Sequence, residues 1–387
     1  MSNSIFHSIP LCARCLRRQY ALSTLPEEKL PSTSEKCAVC KEEIFSQIPA
    51  LIALALSKTS SLEFSNFLVG VRVRDESVKL EEELQTANKL TSAESIKREL
   101  KREIGKELEK QLKKPAEFET PEVIFLFDFV RRNVVLQLQP LYIFGHYQKL
   151  SRTLCQSKWQ CRKCRGKGCM HCAGKGKMYT SVEDIIGAVL LKKTLGKETS
   201  LHASGREDVD ARMLGNGRPF IFEISEPKKR KFSLTLLARA INKAGRNRVR
   251  VVGKLKFVKK DAVRPLTSAR LDKVYKATAK VDKKLSKADL KKIPKSVSLA
   301  QNTPTRVLHR RADLNRKREI KEIRAKLLSP TKLELVITAE AGSYIKEFIS
   351  GDSGRTIPSI SSLLGCKAIC TQLDVIEIKS APIDALI

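Results

Sequence analysis

Two segments of the chain give the first indication of its fold. They are Pro219-Phe-Ile-Phe-Glu-Ile224 and Val249-Arg-Val-Val-Gly-Lys-Leu-Lys-Phe-Val258. Both of these segments are short and rich in β-branched and aromatic residues, which predicts strands. Between them, residues 234–243 carry apolar side chains at helical spacing and predict a helix. A strand, a helix and a second strand in succession favour a sheet with helices packed on it.

The same pattern extends in both directions along the chain. We expect a helix at residues 181–195 and further strands at 273–280, 333–339 and 373–378, where polar residues interleave with apolar ones. A large mixed sheet with helices on one side is the natural assembly of these elements. The predicted class is α+β, and no internal repeat is visible.

Residues 45–140 predict a smaller α+β accessory domain. Its strands are expected at 64–73, 123–129 and 134–138. Between the first and second of these, apolar residues recur every four positions and predict an amphipathic helix, with Thr91 and Glu94 at capping-box spacing before it. The recurring residues are Ile96, Leu100, Ile104, Leu108 and Leu112.

The charge of the chain is large and unevenly placed. The 387 residues carry a formal net charge of +32, and residues 228–326 alone hold 33 Lys and Arg against 7 Asp and Glu. Such a surface gains free energy by displacing counterions from a polyphosphate, so nucleic acid is the leading partner. A solvated basic face without a ligand stays open as the alternative.

Membrane insertion is not expected. The longest apolar run, residues 50–56, is far shorter than the roughly 20 residues that span a bilayer. Polar residues stand where the apolar part of a secretory signal would lie, so we expect a cytoplasmic protein with no membrane partner and no obligatory protein partner.

Eight of the eleven cysteines form two groups with metal-ligand spacing. The first group is Cys12-x-x-Cys15 with Cys37-x-x-Cys40, and the second is Cys161-x-x-Cys164 with Cys169-x-x-Cys172. Each pair of C-x-x-C turns predicts a closed four-sulfur site for structural zinc, because four thiolates leave no open position for catalysis. Disulfides are the alternative for both groups, and reducing intracellular conditions argue against them.

Two islands differ from ordinary core sequence. The first is Gly205-Arg-Glu-Asp-Val-Asp-Ala-Arg-Met-Leu-Gly215, and the second runs from Ala341-Gly-Ser-Tyr-Ile-Lys-Glu-Phe348 to Gly351-Asp-Ser-Gly-Arg-Thr-Ile-Pro358. The first predicts a glycine-flanked loop that holds a carboxylate among guanidinium groups. From composition alone, an exposed turn with salt bridges is the more frequent explanation of such a loop.

Both islands resemble motifs of pseudouridine synthases, and five stretches are similar to the archaeal and eukaryotic tRNA pseudouridine 54/55 synthase family, the one numbered ten. The stretches are residues 142–152, the second cysteine group through Tyr179, 205–219, 305–313 and 341–358. The resemblance implies a catalytic domain at 141–387 with a largely antiparallel mixed sheet and an inserted zinc loop at 161–172. It also implies a zinc-ribbon-like module at 1–44 and an RNA-binding, THUMP-like domain at 45–140.

Residue by residue, the resemblance implies that Asp208 is the catalytic aspartate. It places Arg206 in the space left by a flipped nucleotide, Tyr275 against the target base, and Lys346 beside the catalytic carboxylate on a strand. The rival carboxylate is Asp210, since a spacing of two puts both side chains on one face of an extended segment.

The resemblance further implies that substrate-binding residues accompany these four. They are Tyr275, Tyr344, Arg306, Arg310, Arg311 and Arg355, with Leu363 or Leu364 as an apolar wall. The implied activity is isomerisation of uridine to pseudouridine at position 54, 55 or both of the TΨC arm of tRNA, without an organic cofactor. A non-catalytic, zinc-dependent RNA-binding protein is the alternative.

Overall fold

The structure is a computed structural model, and it describes residues 9–19, 36–41 and 43–387. The chain forms two compact units. The first unit comprises residues 1–140 and 225–231, and the second comprises residues 141–224 and 232–387. Of the predicted zinc-ribbon-like module at 1–44, residues 1–8, 20–35 and 42 lie outside the described residues.

The first unit has a three-stranded sheet in the order β1-β2-β3, in which β1 and β2 are parallel and β2 and β3 antiparallel. Its helices are α1 (Ala13–Gln19), α2 (Glu43–Ser46), α3 (Ile48–Thr59), α4 (Asp75–Ala87) and α5 (Ile96–Leu112). Its strands are β1 (Phe67–Arg72), β2 (Val123–Asp128) and β3 (Asn133–Leu138). The expected strands and the amphipathic helix are therefore confirmed.

The sequence pattern of helix α5 predicted its buried face correctly and its first residue incorrectly. Ile96, Leu100, Ile104 and Leu108 are fully buried on one face, against the aromatic core of the small sheet. The predicted capping box of Thr91 and Glu94 is wrong. The helix begins at Ile96, where the Ser95 side chain accepts a hydrogen bond from the backbone N–H of Arg98.

The second unit is built on a sheet of ten strands among the described residues, in the order β14-β11-β12-β13-β10-β15-β8-β4-β9, with β7 paired to β8. The strands are β4 (Leu141–Lys149), β7 (Glu198–Ala203), β8 (Arg212–Ser225), β9 (Val249–Val258), β10 (Lys273–Val281), β11 (Val297–Gln301), β12 (Arg316–Ser329), β13 (Lys332–Ala339), β14 (Thr356–Ile357) and β15 (Ala368–Ile378). Along this path only β15 and β8 are parallel. The predicted mixed, largely antiparallel α+β fold is confirmed.

A two-stranded ribbon and six helices complete the described part of the second unit. They are β5 (Trp159–Gln160), β6 (Lys177–Tyr179), α6 (Val182–Thr194), α7 (Leu234–Gly245), α8 (Val263–Ser268), α9 (Ile345–Ser350), α10 (Ile360–Leu364) and α11 (Ala381–Leu386). Helix α6 begins with a capping box in which Ser181 and Asp184 each satisfy the other's backbone N–H. None of the helices in the described residues combines the length and the apolar character needed to cross a membrane.

Strand β10 organises the centre of the large sheet, between β13 and β15. Its residues alternate, so that Tyr275, Ala277 and Ala279 are buried while Lys276 and Lys280 are exposed. A β-strand presents successive side chains to opposite faces, so this alternation brings Tyr275 to the buried face. That face carries the cavity described next.

Candidate active site

A cavity of about 370 Å³ opens where the loop between β7 and β8 meets the buried face of β10 and β15. This volume lies within the range of about 300–1,000 Å³ that ligand sites occupy. One side of the cavity is polar and the other apolar. The lining residues are Trp159, Gly205, Arg206, Glu207, Asp208, Val209, Ala211, Arg218, Lys273, Tyr275, Arg306, Val307, Arg311, residues 342–346, Leu373 and Val375.

Asp208 is the carboxylate that the cavity surrounds with positive charge. Its Oδ1 lies 3.0 Å from Nη1 of Arg306, and its Oδ2 lies 3.3 Å from Nζ of Lys346. Burial acts to raise the pKa of Asp208, but the charges of Arg306 and Lys346 and their hydrogen bonds outweigh it and leave that pKa below its ordinary value. The carboxylate is therefore held ionised inside a protein cavity.

The rival Asp210 has a different environment. Its carboxylate accepts from Nζ of Lys346 at 2.7 and 2.8 Å, but its side chain is 65% exposed, against 32% for Asp208. Asp210 is not among the residues that line the cavity. Lys346 thus bridges both carboxylates, and only one of them faces the enclosed space.

Lys346 reaches the site from a helix, and the expectation of a strand is wrong. Strand β13 ends at Ala339, a turn follows with Gly342 at φ +86°, and Lys346 is the second residue of α9. A side chain at this glycine would be strained in the left-handed region. The turn redirects the chain across the end of β13 and places Lys346 over the Asp208 loop.

Arg306 connects Asp208 to a second carboxylate. Its Nε donates to Oε1 of Glu347 at 2.7 Å while Nη1 contacts Asp208. Glu347 is 5% exposed, and its Oε2 has no hydrogen-bond partner among the described atoms. Arg306 was predicted to bind substrate, and here its guanidinium is a second counter-ion of the candidate catalytic carboxylate.

Tyr275 forms part of the apolar wall. It lies opposite Val375 in the β10/β15 pairing, and Leu373 lies opposite Ala277 two residues further along. Burial raises the pKa of Tyr275 to about 12, so its ring stays neutral. The expected wall at Leu363 or Leu364 is wrong: both residues belong to α10, and neither lines the cavity.

The other predicted residues divide into two sets. Arg206, Arg311 and Tyr344 line the cavity, and Nη1 of Arg311 donates to the Tyr344 hydroxyl at 2.8 Å. Arg355 is not among the lining residues, since its guanidinium binds the carbonyl of Thr303 and the carboxylate of Asp313. The side chain of Arg310 lies outside what the structure describes.

Sequence reasoning missed a buried ion pair next to Asp208. Nε of Arg218 donates to the Glu207 carboxylate at 2.8 Å, and both side chains are 1% exposed. The hydroxyl of Tyr147 contacts the same carboxylate at 3.1 Å. The sequence signal was Arg218 itself, which directly precedes the apolar run of β8. A guanidinium at such a position can be buried only together with a partner of opposite charge.

Lys273 was missed as well. It lines the cavity, and burial followed by the charge of Arg218 lowers its pKa to about 8. Its Nζ donates to the carbonyl of Leu271 at 2.8 Å. Its position two residues before Tyr275 on the same face of β10 was the signal, because a strand returns to one face every second residue.

The two cysteine groups are each assembled as the spacing predicts. In each group the four Sγ atoms lie within 4.8 Å of one another, and no disulfide joins these eight cysteines. Separations such as 3.7 Å between Cys12 and Cys40 and 3.8 Å between Cys164 and Cys172 exceed a disulfide length of about 2.05 Å. They match the edge of a tetrahedron of thiolates about 2.3 Å from a zinc ion.

Glycines shape the second cysteine group. Gly166 and Gly168 have φ of +92° and +91°, and a Cβ on Gly168 would meet the carbonyl oxygen of Gly174 at 2.7 Å. The backbone N–H of Gly168 points at Sγ of Cys164, and that of Gly176 at Sγ of Cys172, each at 3.2 Å. N–H groups aimed at sulfur stabilise thiolates, which is the state that a metal requires.

Comparison with known proteins identifies relatives of this chain. The family model described as "Pus10, C-terminal" matches residues 142–379, and "Pus10 THUMP domain, archaeal" matches residues 52–128. The protein named tRNA pseudouridine synthase Pus10 of Methanothermobacter marburgensis is 43% identical over 88% of this chain and 86% of its own. Its namesake in Methanosphaera stadtmanae is 35% identical over 95% of both chains, and that in Methanocaldococcus jannaschii is 40% identical over 91% of this chain and 77% of its own.

Among solved structures, a crystal structure of a Cbf5–Nop10–Gar1 complex is similar over 50% of this chain and 43% of that one, with 17% identity and a TM-score of 0.30. The family models and the relatives place the chain in one group of proteins. It belongs to the Pus10 family.

Proposed function

We propose that this protein isomerises uridine to pseudouridine in tRNA, at position 54, 55 or both of the TΨC arm. The observation that carries the proposal is the ionised Asp208 carboxylate, held between Arg306 and Lys346 at the wall of a cavity that also contains Tyr275. The names of the relatives support the reaction, and the motifs of residues 205–219 and 341–358 support the assignment of the residues.

The chemistry requires a uridine that has left the base stack, because its glycosidic bond is inaccessible inside a helix. Asp208 then acts on the ribose, either as a nucleophile at C1′ or as a base at C2′. The N1–C1′ bond breaks, the uracil turns within the cavity, and a C5–C1′ bond forms. The proton lost from C5 is balanced by one gained at N1, so the reaction needs no external reactant.

The surrounding side chains have separate tasks in this scheme. Tyr275 stacks on the uracil while it is detached, a contact worth about 1–3 kcal/mol per base. Arg206 occupies the space that the flipped nucleotide leaves, and it is exposed at the cavity beside Trp159. Arg311 and Tyr344 contact the nucleotide or its phosphate from the opposite side.

We also propose that both cysteine groups hold structural zinc. The sulfur separations and the N–H groups aimed at Cys164 and Cys172 fit four thiolates around one ion. In the first unit, Cys15 and Arg18 share α1, and Arg18 is buried in ion pairs with Glu81 and Glu99. A metal at Cys15 would therefore fix a helix that is also tied to α4 and α5.

The domain division is part of the same proposal. Residues 1–44 form a zinc-ribbon-like module, residues 45–140 bind RNA as a THUMP-type domain, and residues 141–387 hold the catalytic site. The family model that matches residues 52–128 supports the assignment of the middle domain. The partner is tRNA.

The test of the reaction compares two carboxylates of one loop. Wild-type protein, Asp208→Ala and Asp210→Ala are incubated with an unmodified tRNA transcript, and pseudouridine is detected by carbodiimide treatment and primer extension. Wild type and Asp210→Ala should form pseudouridine, whereas Asp208→Ala should lose at least about a thousandfold in rate because it lacks the reacting group. Primer extension also reports whether position 54, 55 or both react.

The outcomes separate the two candidate functions. Modification by Asp208→Ala at the wild-type rate would remove Asp208 from the mechanism. Binding of tRNA by the wild type without any pseudouridine would instead favour a non-catalytic RNA-binding protein.

The zinc proposal is tested by metal content. Purified protein should contain about two zinc ions per chain, and the double substitution Cys164→Ser with Cys169→Ser should reduce this to about one. The same substitutions at Cys366 and Cys370, which lie outside both groups, serve as the control and should leave the content unchanged. A wild-type content near zero would contradict the proposal.

A further inference from the structure

Lys149 is a fully buried lysine directly beneath the Asp208 loop. It is the last residue of β4, and it is 0% exposed. Its Nζ donates to the backbone carbonyls of Val209 at 2.8 Å, Leu154 at 3.0 Å, Asp208 at 3.2 Å and Ser151 at 3.3 Å. The carbonyl of Asp208 itself is thus one of its acceptors.

This set of partners is unusual in kind. A buried lysine is ordinarily compensated by a carboxylate, because an unpaired buried charge is costly. Here the ammonium, with three N–H groups, is shared among four main-chain oxygens. A cation bound by carbonyl oxygens constrains the backbone that carries them, so Lys149 restricts the path of the chain at 208 and 209.

The Asp208 carbonyl also accepts from the backbone N–H of Ala211 at 3.2 Å, a bond within the loop itself. The other side chains that bind the main chain of the loop do so at neighbouring residues. Arg218 holds the side chain of Glu207, and Gln156 donates to the carbonyl of Gly205 at 2.9 Å. Arg152 donates to the carbonyl of Asp210 at 2.9 Å. Lys149 therefore holds the main chain at residues 208 and 209, while Gln156 and Arg152 hold it on either side.

Lys149 itself is part of the large sheet, which is a rigid element. Lys149 pairs with Met213 of β8 and with Val249 of β9 in the large sheet. The loop that carries Asp208 leads directly into β8. Because Lys149 belongs to the sheet and the loop enters a neighbouring strand of the same sheet, a fixed Nζ gives the Asp208 side chain a fixed origin.

We propose that Lys149 is a positioning residue that aims the Asp208 carboxylate by binding the main-chain carbonyls of residues 208 and 209. The proposal rests on the function proposed above for Asp208. Lys149 does not touch the substrate, so its loss should affect the bond-breaking step and leave the affinity for tRNA nearly intact. A displacement of about 1 Å at a reacting group costs as much as about a hundredfold in rate.

The experiment measures three quantities for full-length Lys149→Met. They are the single-turnover rate of pseudouridine formation at saturating tRNA, the Kd for tRNA, and the midpoint of thermal unfolding. The matched control is Lys192→Met, an exposed lysine on α6. We expect a rate about a hundredfold below wild type for Lys149→Met, with a Kd within about threefold of wild type. The control should keep the wild-type rate.

Each outcome decides the matter. A folded Lys149→Met with a rate within threefold of wild type, or one whose loss is entirely in Kd, overturns the proposal. If Lys149→Met does not fold, Lys149→Arg takes its place, since it keeps the charge but not the geometry of the ammonium. A tenfold or greater loss of rate at unchanged Kd then supports positioning, and a wild-type rate overturns it. An inactive wild type would contradict the proposed reaction instead.

Discussion

Glu207 and Asp208 are consecutive carboxylates of one loop, and their exposure differs sharply. Glu207 is enclosed with Arg218 at 1% exposure on each side chain, whereas Asp208 meets Arg306 and Lys346 with about a third of its side chain open to the cavity. Both are ion-paired. The difference is exposure, since Glu207 lines the cavity with almost no open surface whereas Asp208 is accessible to a ligand.

The comparison shows how a site can combine rigidity with reactivity. The enclosed pair of Glu207 and Arg218 fixes the loop, since Arg218 also donates to the carbonyl of Ser204 at 2.6 Å. The open pair keeps a carboxylate charged without surrounding it. Adjacent residues of the loop differ in exposure, so one short loop holds both an enclosed and an open carboxylate.

Substitution of the enclosed carboxylate should have the largest effect on stability. Glu207→Gln leaves the Arg218 charge buried without its partner, which typically costs about 3–5 kcal/mol of unfolding free energy. Asp208→Asn removes a partly exposed charge and should cost no more than about 1 kcal/mol. Urea unfolding of the two variants beside wild type measures this difference.

Equal losses in the two variants would contradict the distinction between an enclosed and an open pair. So would a Glu207→Gln protein as stable as wild type. Loss of activity in Asp208→Asn at wild-type stability would show that the open carboxylate serves the reaction and not the fold.

Loss of Arg306 should have an intermediate effect, visible in the pH dependence of the rate. The pKa of Asp208 lies below its ordinary value of 3.8, so the ionised form persists as the pH falls and is lost only below that value. Arg306→Met removes one of the two opposing charges, so the pKa of Asp208 should rise and the acid limb of the rate profile should move to higher pH. Single-turnover rates between pH 7 and the onset of acid unfolding measure the shift.

The matched control for this experiment is Arg311→Met. Arg311 lines the same cavity but contacts the Tyr344 hydroxyl and not Asp208. Its acid limb should coincide with that of wild type. Identical acid limbs in all three proteins would show that Arg306 does not hold the Asp208 charge.

The smallest effect should come from charges that are exposed and remote from both pairs. Lys283, Lys284 and Lys287 lie in the exposed turn after β10. If they contact phosphates, their joint replacement by Gln should lower the slope of log K against log salt by roughly 0.7–0.9 per lysine. The rate at saturating tRNA should stay within about twofold of wild type, because no base or ribose contact is changed. An unchanged salt slope would place the tRNA elsewhere on the surface.

Much of the site could be anticipated from residues that are close in sequence. The cysteine pairs, the Asp208 loop and the strand of Tyr275 all follow from local spacing and motif. The predictions that were wrong depend on contacts between residues that are far apart in the sequence. Leu373 and Val375, and not Leu363 or Leu364, form the apolar wall, because β15 pairs with β10 and α10 does not.

The other corrections have the same cause. The helix of Lys346 depends on a turn after β13, and the exclusion of Arg355 from the cavity depends on its contacts with Thr303 and Asp313. Lys149 and Arg218 were visible as charges next to apolar strands, but their partners lie about sixty and eleven residues away along the chain. No local pattern specifies such partners.

The class of fold and the two four-sulfur groups could be read from the sequence, because periodicity and C-x-x-C spacing are local properties of the chain. The loop that carries Asp208 was recognised by its resemblance to a family motif. Which carboxylate of that loop is open and which is enclosed follows only from the folded structure. That choice depends on Arg218, Arg306 and Lys346, which arrive from three separate segments. The free energy of a charge is set by its surroundings after folding, and sequence order does not contain those surroundings.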